Sequence, residues 1–234
     1  VMHFAAYSKV EESVAQPLKY WKNNVASPLV LLNKMKEHGI TKFIFSSSAA
    51  VYGNPIKVPI TEDHPLNPIN PYGATKSTLE RILYDIERST GIRAVNLRYF
   101  NAAGADPQGR VGDSRTIKTH LIPLVLEVAG GEKDFIKIFG TDYSTHDGTC
   151  IRDYVHVSDL SHAHLLAMDY LLDGGSSDSF NLGNKIGHSV REVINCARKV
   201  TGREIKELET DRRPGDPSTL IASSDKIMRV LDWK

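Results

Sequence analysis

Short apolar runs alternate with amphipathic stretches along the first hundred residues. Residues 1–6 are an apolar run ending in small residues, the pattern of a parallel strand that feeds a loop. Residues 9–38 carry helical spacing, with Pro17 and Pro28 at breaks or first turns and Gly39 as the stop. Residues 42–48 form the next strand, so the chain opens with the strand–helix–strand rhythm of a parallel sheet. Residues 53–71, rich in Pro and Asn, predict a long loop, and long loops in compact domains are usually functional. Residues 72–90 are strongly periodic, with Leu79, Ile82, Leu83 and Ile86 on one side and Gly91 as the stop. A strand over 92–100 and a sharp turn over 101–107 follow.

The rhythm then changes. Helices are predicted over 116–129, 159–172, 189–201 and 223–231, and strands over 136–139, 151–157, 179–183 and 204–208. Loops lengthen and carry more Gly, Asp and Arg. The expectation is a parallel-sheet domain with a smaller lobe woven from the second half. There is no internal repeat and no low-complexity tract.

Composition narrows the class of protein. With 234 residues the chain can bury a sizeable core, and 41% hydrophobic with 24% charged residues is ordinary for a soluble globular protein. A net charge of +1 gives no reason to expect nucleic acid or an anionic membrane as partner. Two cysteines, Cys150 and Cys196, argue against a disulfide framework and fit a reducing cytosol. No apolar run approaches the roughly 20 residues that span a bilayer, and no signal peptide is expected. Val1 opens on a strand already under way, and Val230–Lys234 carries no end signal. The expectation is an internal piece of a longer protein.

Candidate chemistry gathers at two places. Tyr72 and Lys76 are four apart, on one face of the predicted helix. An ammonium near a phenol favours the phenolate, which is a usable general base. The bland alternative is an exposed helix pair worth about 0.3 kcal/mol. Ser46-Ser47-Ser48 ends the preceding strand, where open parallel sheets place their ligands. Alternation points Ser46 and Ser48 the same way, which fits Ser46 near a cofactor and Ser48 near a substrate. The bland alternative is a polar strand end satisfying local backbone groups. Asn101 follows a strand ending in Tyr99-Phe100 and reads either as a turn asparagine or as an amide reaching a ligand. Arg152, and the stretch Arg212-Arg213-Pro214-Gly215-Asp216, offer guanidinium groups for a diphosphate and a carboxylate for sugar hydroxyls. Either arginine alone is more often a surface ion pair. His146, Cys150 and His156 lack metal-ligand spacing, so no metal is expected. No Gly-x-Gly-x-x-Gly turn occurs, and it would belong before residue 1.

These segments together resemble the UDP-glucose 4-epimerases of the extended short-chain dehydrogenase/reductase superfamily. The likeness runs through Phe43-Ile-Phe-Ser-Ser-Ser-Ala-Ala-Val-Tyr-Gly53, Pro71-Tyr-Gly-Ala-Thr-Lys76, Leu97-Arg-Tyr-Phe-Asn101, Asp147-Gly-Thr-Cys-Ile-Arg-Asp-Tyr-Val-His-Val157 and Arg212-Arg-Pro-Gly-Asp216. The tyrosine–lysine pattern belongs to the whole superfamily, and the last two stretches are more specific. The resemblance implies an α/β fold: a Rossmann-like parallel sheet flanked by helices, incomplete at its N-terminus, with a smaller mixed α/β substrate lobe. Residues 1–105 would be a partial NAD-binding domain. Residues 106–234 would be mainly a sugar-nucleotide lobe, with 151–183 partly returning to the main sheet.

The resemblance also implies a tightly bound NAD, a UDP-hexose substrate, a cytoplasmic homodimer and galactose metabolism. Ser48, Tyr72 and Lys76 would be catalytic. Lys76 would bind the nicotinamide ribose and depress the Tyr72 pKa. Phe4, Ala5, Ala6, Asn23, Ser46 and Tyr99, with Tyr72 and Lys76, would line NAD. Asn101, Leu121, Phe139, Arg152, Arg213 and Asp216, with Ser48, would hold UDP and sugar. Leu220 falls beside the sugar 2-substituent, where tyrosine excludes an N-acetyl group and cysteine admits it, so UDP-N-acetylglucosamine stays open as a substrate. Ser8 stands where some relatives have a cofactor-contacting lysine. Lacking the glycine-rich turn, the piece alone is expected to bind NAD poorly and to be inactive. Nucleotide-sugar 4,6-dehydratases share the fold but carry an acid pair, typically Asp-Glu, where this chain has Ala49-Ala50 after Ser48. A non-catalytic nucleotide-sensing protein would usually have lost the tyrosine or lysine kept here.

Overall fold

The computed structural model describes residues 1–114, 117–213 and 215–234. In chain order the first elements are β1 (Met2–His3), α1 (Val10–Ala15), α2 (Pro17–Trp21), a π-helical turn over Lys22–Ala26, and α3 (Ser27–Glu37). Then come β2 (Lys42–Ser48), α4 (Pro71–Thr90), β3 (Arg93–Tyr99), β4 (Asn101–Ala103) and α5 (Leu121–Ala129). The remainder is β5 (Ile136–Phe139), β6 (Ile151–His156), α6 (Val157–Leu172), β7 (Asp178–Leu182), β8 (Gly187–Ser189), α7 (Val190–Thr201), β9 (Glu207–Thr210), β10 (Thr219–Leu220) and α8 (Asp225–Leu231).

The main sheet is parallel throughout, in the order β1-β2-β3-β7. Its strands are buried on both faces because helices cover both. On one face Phe43, Phe45, Ile92 and Ala94 pack with Leu32 and Met35 of α3 and Leu79 and Leu83 of α4. On the other, Ile44, Val95, Leu97, Phe180 and Leu182 pack with α6 and α8, closed by Trp233. Asn101 continues β3 into β4, which joins β6 and β10 in a second parallel set. The lobe has its own core, where Val125 and Val128 of α5 meet Ile136 and Ile138 of β5, Ile194 of α7 and Ile205.

The early elements agree with the sequence pattern. Pro17 and Pro28 both stand in first turns, where a missing N–H costs nothing. The departures lie in short or proline-limited segments. The helix expected over 116–129 starts at Leu121 (Thr116 lies outside the described residues) because Pro123 fits only a first turn. The strand expected over 204–208 lies at Glu207–Thr210, since the extended link after Gly202 first buries Ile205. The first strand is confined to Met2–His3, and Asn101–Ala103 is a strand rather than only a turn. Runs this short have no measurable period. Among the described residues, no helix is long and apolar enough to cross a membrane.

Candidate active site

Helix α4 starts where β2 ends. Asn70 caps it, its Oδ1 accepting from the Gly73 N–H at 2.9 Å, and Pro71 occupies the first turn. Gly73 is required here, because a Cβ would lie 2.3 Å from the Ala50 carbonyl oxygen. That close approach sets the first turn of α4 directly against the turn after Ser48. A second tie comes from Ser13 of α1, whose Oγ accepts from the Tyr72 N–H at 3.2 Å.

Three side chains converge there. The Ser48 hydroxyl stands beside the Tyr72 phenol, where it works to lower that phenol's pKa, and its Oγ accepts from the Ala50 N–H at 3.2 Å. Lys76 is 3% exposed; its Nζ donates to the Ser46 carbonyl at 2.6 Å and lies 5.9 Å from the Tyr72 ring centre. Burial pulls the lysine down to about 8, with Glu80 one turn on opposing it. Tyr72 sits above its ordinary pKa, because burial outweighs the Ser48 hydrogen bond. The depression by Lys76 expected from the spacing is therefore not seen. Ionising this phenol near neutral pH takes further positive charge.

Around the trio lie the other residues singled out from the sequence. Ser46 points to the face opposite Ser47, beside the Tyr99 phenol, while Ser47 donates to Glu80 at 2.5 Å. Phe4, Ala5 and Ala6 follow β1 at the carboxyl edge of the sheet, and the Phe4 ring is 58% exposed. Asn23 lies on the π-helical turn, a feature frequent at functional sites, and its Nδ2 donates to Asn24 at 3.0 Å.

The second group sits on the lobe. Arg152 is ion-paired with Asp216, and the Arg213 guanidinium lies 3.7 Å from the centre of the Phe139 ring. Asn101 lies beside its register partner Tyr154. Leu220 packs with Tyr52, Ile60, Phe100 and Ala222. Leu121 opens α5 and leans on the lobe core.

Sequence reasoning missed two residues. Asp153 is fully buried and accepts from the backbone N–H groups of Asn184, Lys185 and Ala222 at 2.7, 3.1 and 3.1 Å. His164 is 5% exposed on α6 and reaches Tyr99 from behind. A lone histidine on an apolar helix face gives no signal of such a contact. Among the described residues, no cluster of three or more His, Cys, Asp or Glu could hold a metal ion.

Comparison with known proteins agrees with this arrangement. A family model described as GDP-mannose 4,6 dehydratase matches residues 1–234. A UDP-glucose 4-epimerase of Halalkalibacterium halodurans is 52% identical over 234 residues, covering 100% of this chain and 70% of that protein. The crystal structure of UDP-glucose 4-epimerase from Brucella ovis in complex with NAD is 44% identical with a TM-score of 0.96, over 100% of this chain and 72% of that one. The enzyme from Bifidobacterium longum, in complex with NAD+ and UDP, is 43% identical with a TM-score of 0.94, over 100% of this chain and 70% of that one. With whole-chain likeness at this level and the Ser48, Tyr72 and Lys76 side chains gathered at the sheet edge, the chain belongs to the UDP-glucose 4-epimerase family.

Proposed function

We propose that the protein interconverts UDP-glucose and UDP-galactose by reversible hydride transfer at sugar C4, through a 4-keto sugar, with NAD held in the site. The observation that carries this is the convergence of Ser48, Tyr72 and Lys76 where β2 meets α4.

The residues fit NAD. Lys76 carries three N–H donors; among the described residues the Ser46 carbonyl takes one, which leaves donors for ribose hydroxyls. Phe4, Ala5, Ala6, Asn23, Ser46 and Tyr99 complete that half of the pocket, beyond the strand ends where parallel sheets bind ligands. NAD, when bound, supplies the hydride acceptor and donor and a positive charge beside the phenol.

The chain's own groups handle the proton and the position. Tyr72 Oη takes the proton from the sugar 4-hydroxyl as the C4 hydride leaves, and returns it when the hydride comes back to the other face. Ser48 holds the same oxygen by a hydrogen bond. Lys76 holds positive charge near the phenolate. Arg152, Arg213 and Asp216 anchor the diphosphate and sugar, Phe139, Asn101 and Leu121 hold the uridine half, and Leu220 lines the sugar pocket. The ion pair of Arg152 with Asp216 pre-orients that guanidinium. Ala49-Ala50 lack the proton donor that elimination needs, which favours epimerisation over 4,6-dehydration.

The family likeness also supports a cytoplasmic homodimer acting in galactose metabolism. The deciding experiment supplies the protein, expressed at its full natural length, with UDP-galactose and separately with UDP-N-acetylgalactosamine, and separates the products. Formation of UDP-glucose is expected. Conversion of neither substrate would overturn the reading.

A further inference from the structure

His164 lies outside the trio yet touches two residues assigned above to the cofactor pocket. Its ring is stacked on Phe4, centroids 4.7 Å apart, and tilted against Tyr99 at 5.5 Å. Its Nε2 is 2.5 Å from the Tyr99 hydroxyl, and its Nδ1 is 2.8 Å from the Leu160 carbonyl one turn back on α6. We propose that His164 is a positioning residue: as the Nδ1–H tautomer it accepts the Tyr99 hydroxyl proton in a hydrogen bond and locks Phe4 and Tyr99 into one wall of the pocket.

The direction of each bond follows from the donor inventory. A carbonyl oxygen only accepts, so Nδ1 must carry the hydrogen facing Leu160. A neutral imidazole then has a bare Nε2, which can only accept, and the Tyr99 hydroxyl must donate to it. The chain therefore runs Tyr99 to His164 to Leu160, each hydrogen assigned. Burial keeps both ends of the central bond neutral, lowering His164 and raising Tyr99 well above the ordinary tyrosine range.

The consequence concerns which phenol reacts. Two tyrosines, Tyr72 and Tyr99, lie close enough for the charge on one to raise the pKa of the other. Tyr99 has its proton committed to His164. Among the described residues Tyr72 has no such acceptor; the group beside it is Ser48, whose hydroxyl favours the phenolate. His164 thus leaves Tyr72 as the phenol free to lose its proton. That consequence rests on the epimerase reading, whereas the tautomer and the bond direction do not.

The test is a long-range proton–nitrogen correlation spectrum of the ¹⁵N-labelled chain near pH 7.5. His164 is assigned by the signals lost in His164→Gln, or, should that variant not fold, by the contacts of its ring protons with the Phe4 ring stacked on it. The expected result is protonated Nδ1 and unprotonated Nε2, with Nε2 shifting towards the value of an unbonded imine nitrogen in Tyr99→Phe. A protonated Nε2, an imidazolium, or an Nε2 signal indifferent to Tyr99→Phe would overturn the proposal. None of these outcomes depends on whether the protein epimerises UDP-sugars, so failure here and failure of the functional reading are told apart.

Discussion

Arg98 and Glu80 form an ion pair sealed between β3 and α4, with Nη2 2.7 Å from Oε2 and the two side chains 6% and 5% exposed. The pair is embedded in further bonds. Arg98 Nη1 donates to the Tyr52 hydroxyl at 2.8 Å, and Tyr52 donates to Asn181 at 2.6 Å. Ser47 donates to the other oxygen of Glu80. The network therefore ties the serine strand end, helix α4 and β7 together. Glu80→Gln leaves the guanidinium without its counter-charge, and loss of one partner of a buried pair costs about 3–5 kcal/mol. Urea unfolding is expected to show that loss. A change below about 1 kcal/mol would mean water reaches the pair.

Burial of Lys76 makes stability depend on pH. Its folded pKa of about 8 lies below the ordinary 10.5, so between those values the unfolded chain binds more protons than the folded one. Stability from this group therefore rises as pH climbs from about 8 to 10.5, and the cost of burying the ammonium is full below 8. Lys76→Met removes that cost, which is about 3 kcal/mol at the conversion of 1.36 kcal/mol per pKa unit. The variant is expected to unfold at higher urea than the parent at pH 7, with the gap narrowing above pH 8. A gap that stays constant to pH 10 would show that the lysine is not strained by burial.

Asp153 is a staple between β6, the turn after β7 and the segment before α8. Its carboxylate receives three backbone N–H groups from two separate segments, and Gly183 must be glycine because a Cβ would lie 2.5 Å from Oδ2. Asp153→Asn turns one acceptor oxygen into an NH2 that faces backbone donors. Hydrogen bonds to charged groups contribute about 1.5–3 kcal/mol each. A loss of that order is expected in thermal unfolding, together with faster amide exchange at Asn184, Lys185 and Ala222. Unchanged exchange at those amides would rule out the staple.

The legibility of this molecule in its sequence follows element length. β2, α4, β3 and α6 are long enough to show a period, and their ends carry readable punctuation such as Pro71 and Gly91. The trio was legible because a serine strand end and a tyrosine–lysine helix start are local patterns. Asp153 and His164 were not, because their partners lie 31 and 65 residues away and arise only from packing. The ionisation of Tyr72 was misread for a related reason. Spacing places Lys76 on the same helical face, but it does not show that the ammonium turns to the Ser46 carbonyl or that burial governs the phenol.

Tyr72→Phe tests the base directly. The hydroxyl lost is the one that faces Ser48, while the residues proposed to hold UDP stand on the lobe. Turnover of the full-length protein is expected to fall by about two to four orders of magnitude, the usual contribution of a positioned acid–base group. UDP affinity should stay within about a factor of three, well under 1 kcal/mol. Retained turnover would remove Tyr72 from the role of base.

Leu220 is the residue expected to set the breadth of substrate. Its side chain packs against Tyr52, Phe100 and Ala222, and so forms part of the wall between the long loop and β6. Leucine is smaller than tyrosine and bulkier than cysteine at this place. Replacing it with tyrosine fills the space an N-acetyl group would need, and replacing it with cysteine enlarges that space. Leu220→Tyr is expected to abolish any conversion of UDP-N-acetylgalactosamine while sparing UDP-galactose. Leu220→Cys should raise the N-acetyl activity relative to UDP-galactose by about tenfold, as one to two methylenes of pocket space are worth roughly 1–3 kcal/mol. Side-by-side kcat/KM values for the two substrates check both arms, and an unchanged ratio in both variants would place the 2-substituent away from Leu220.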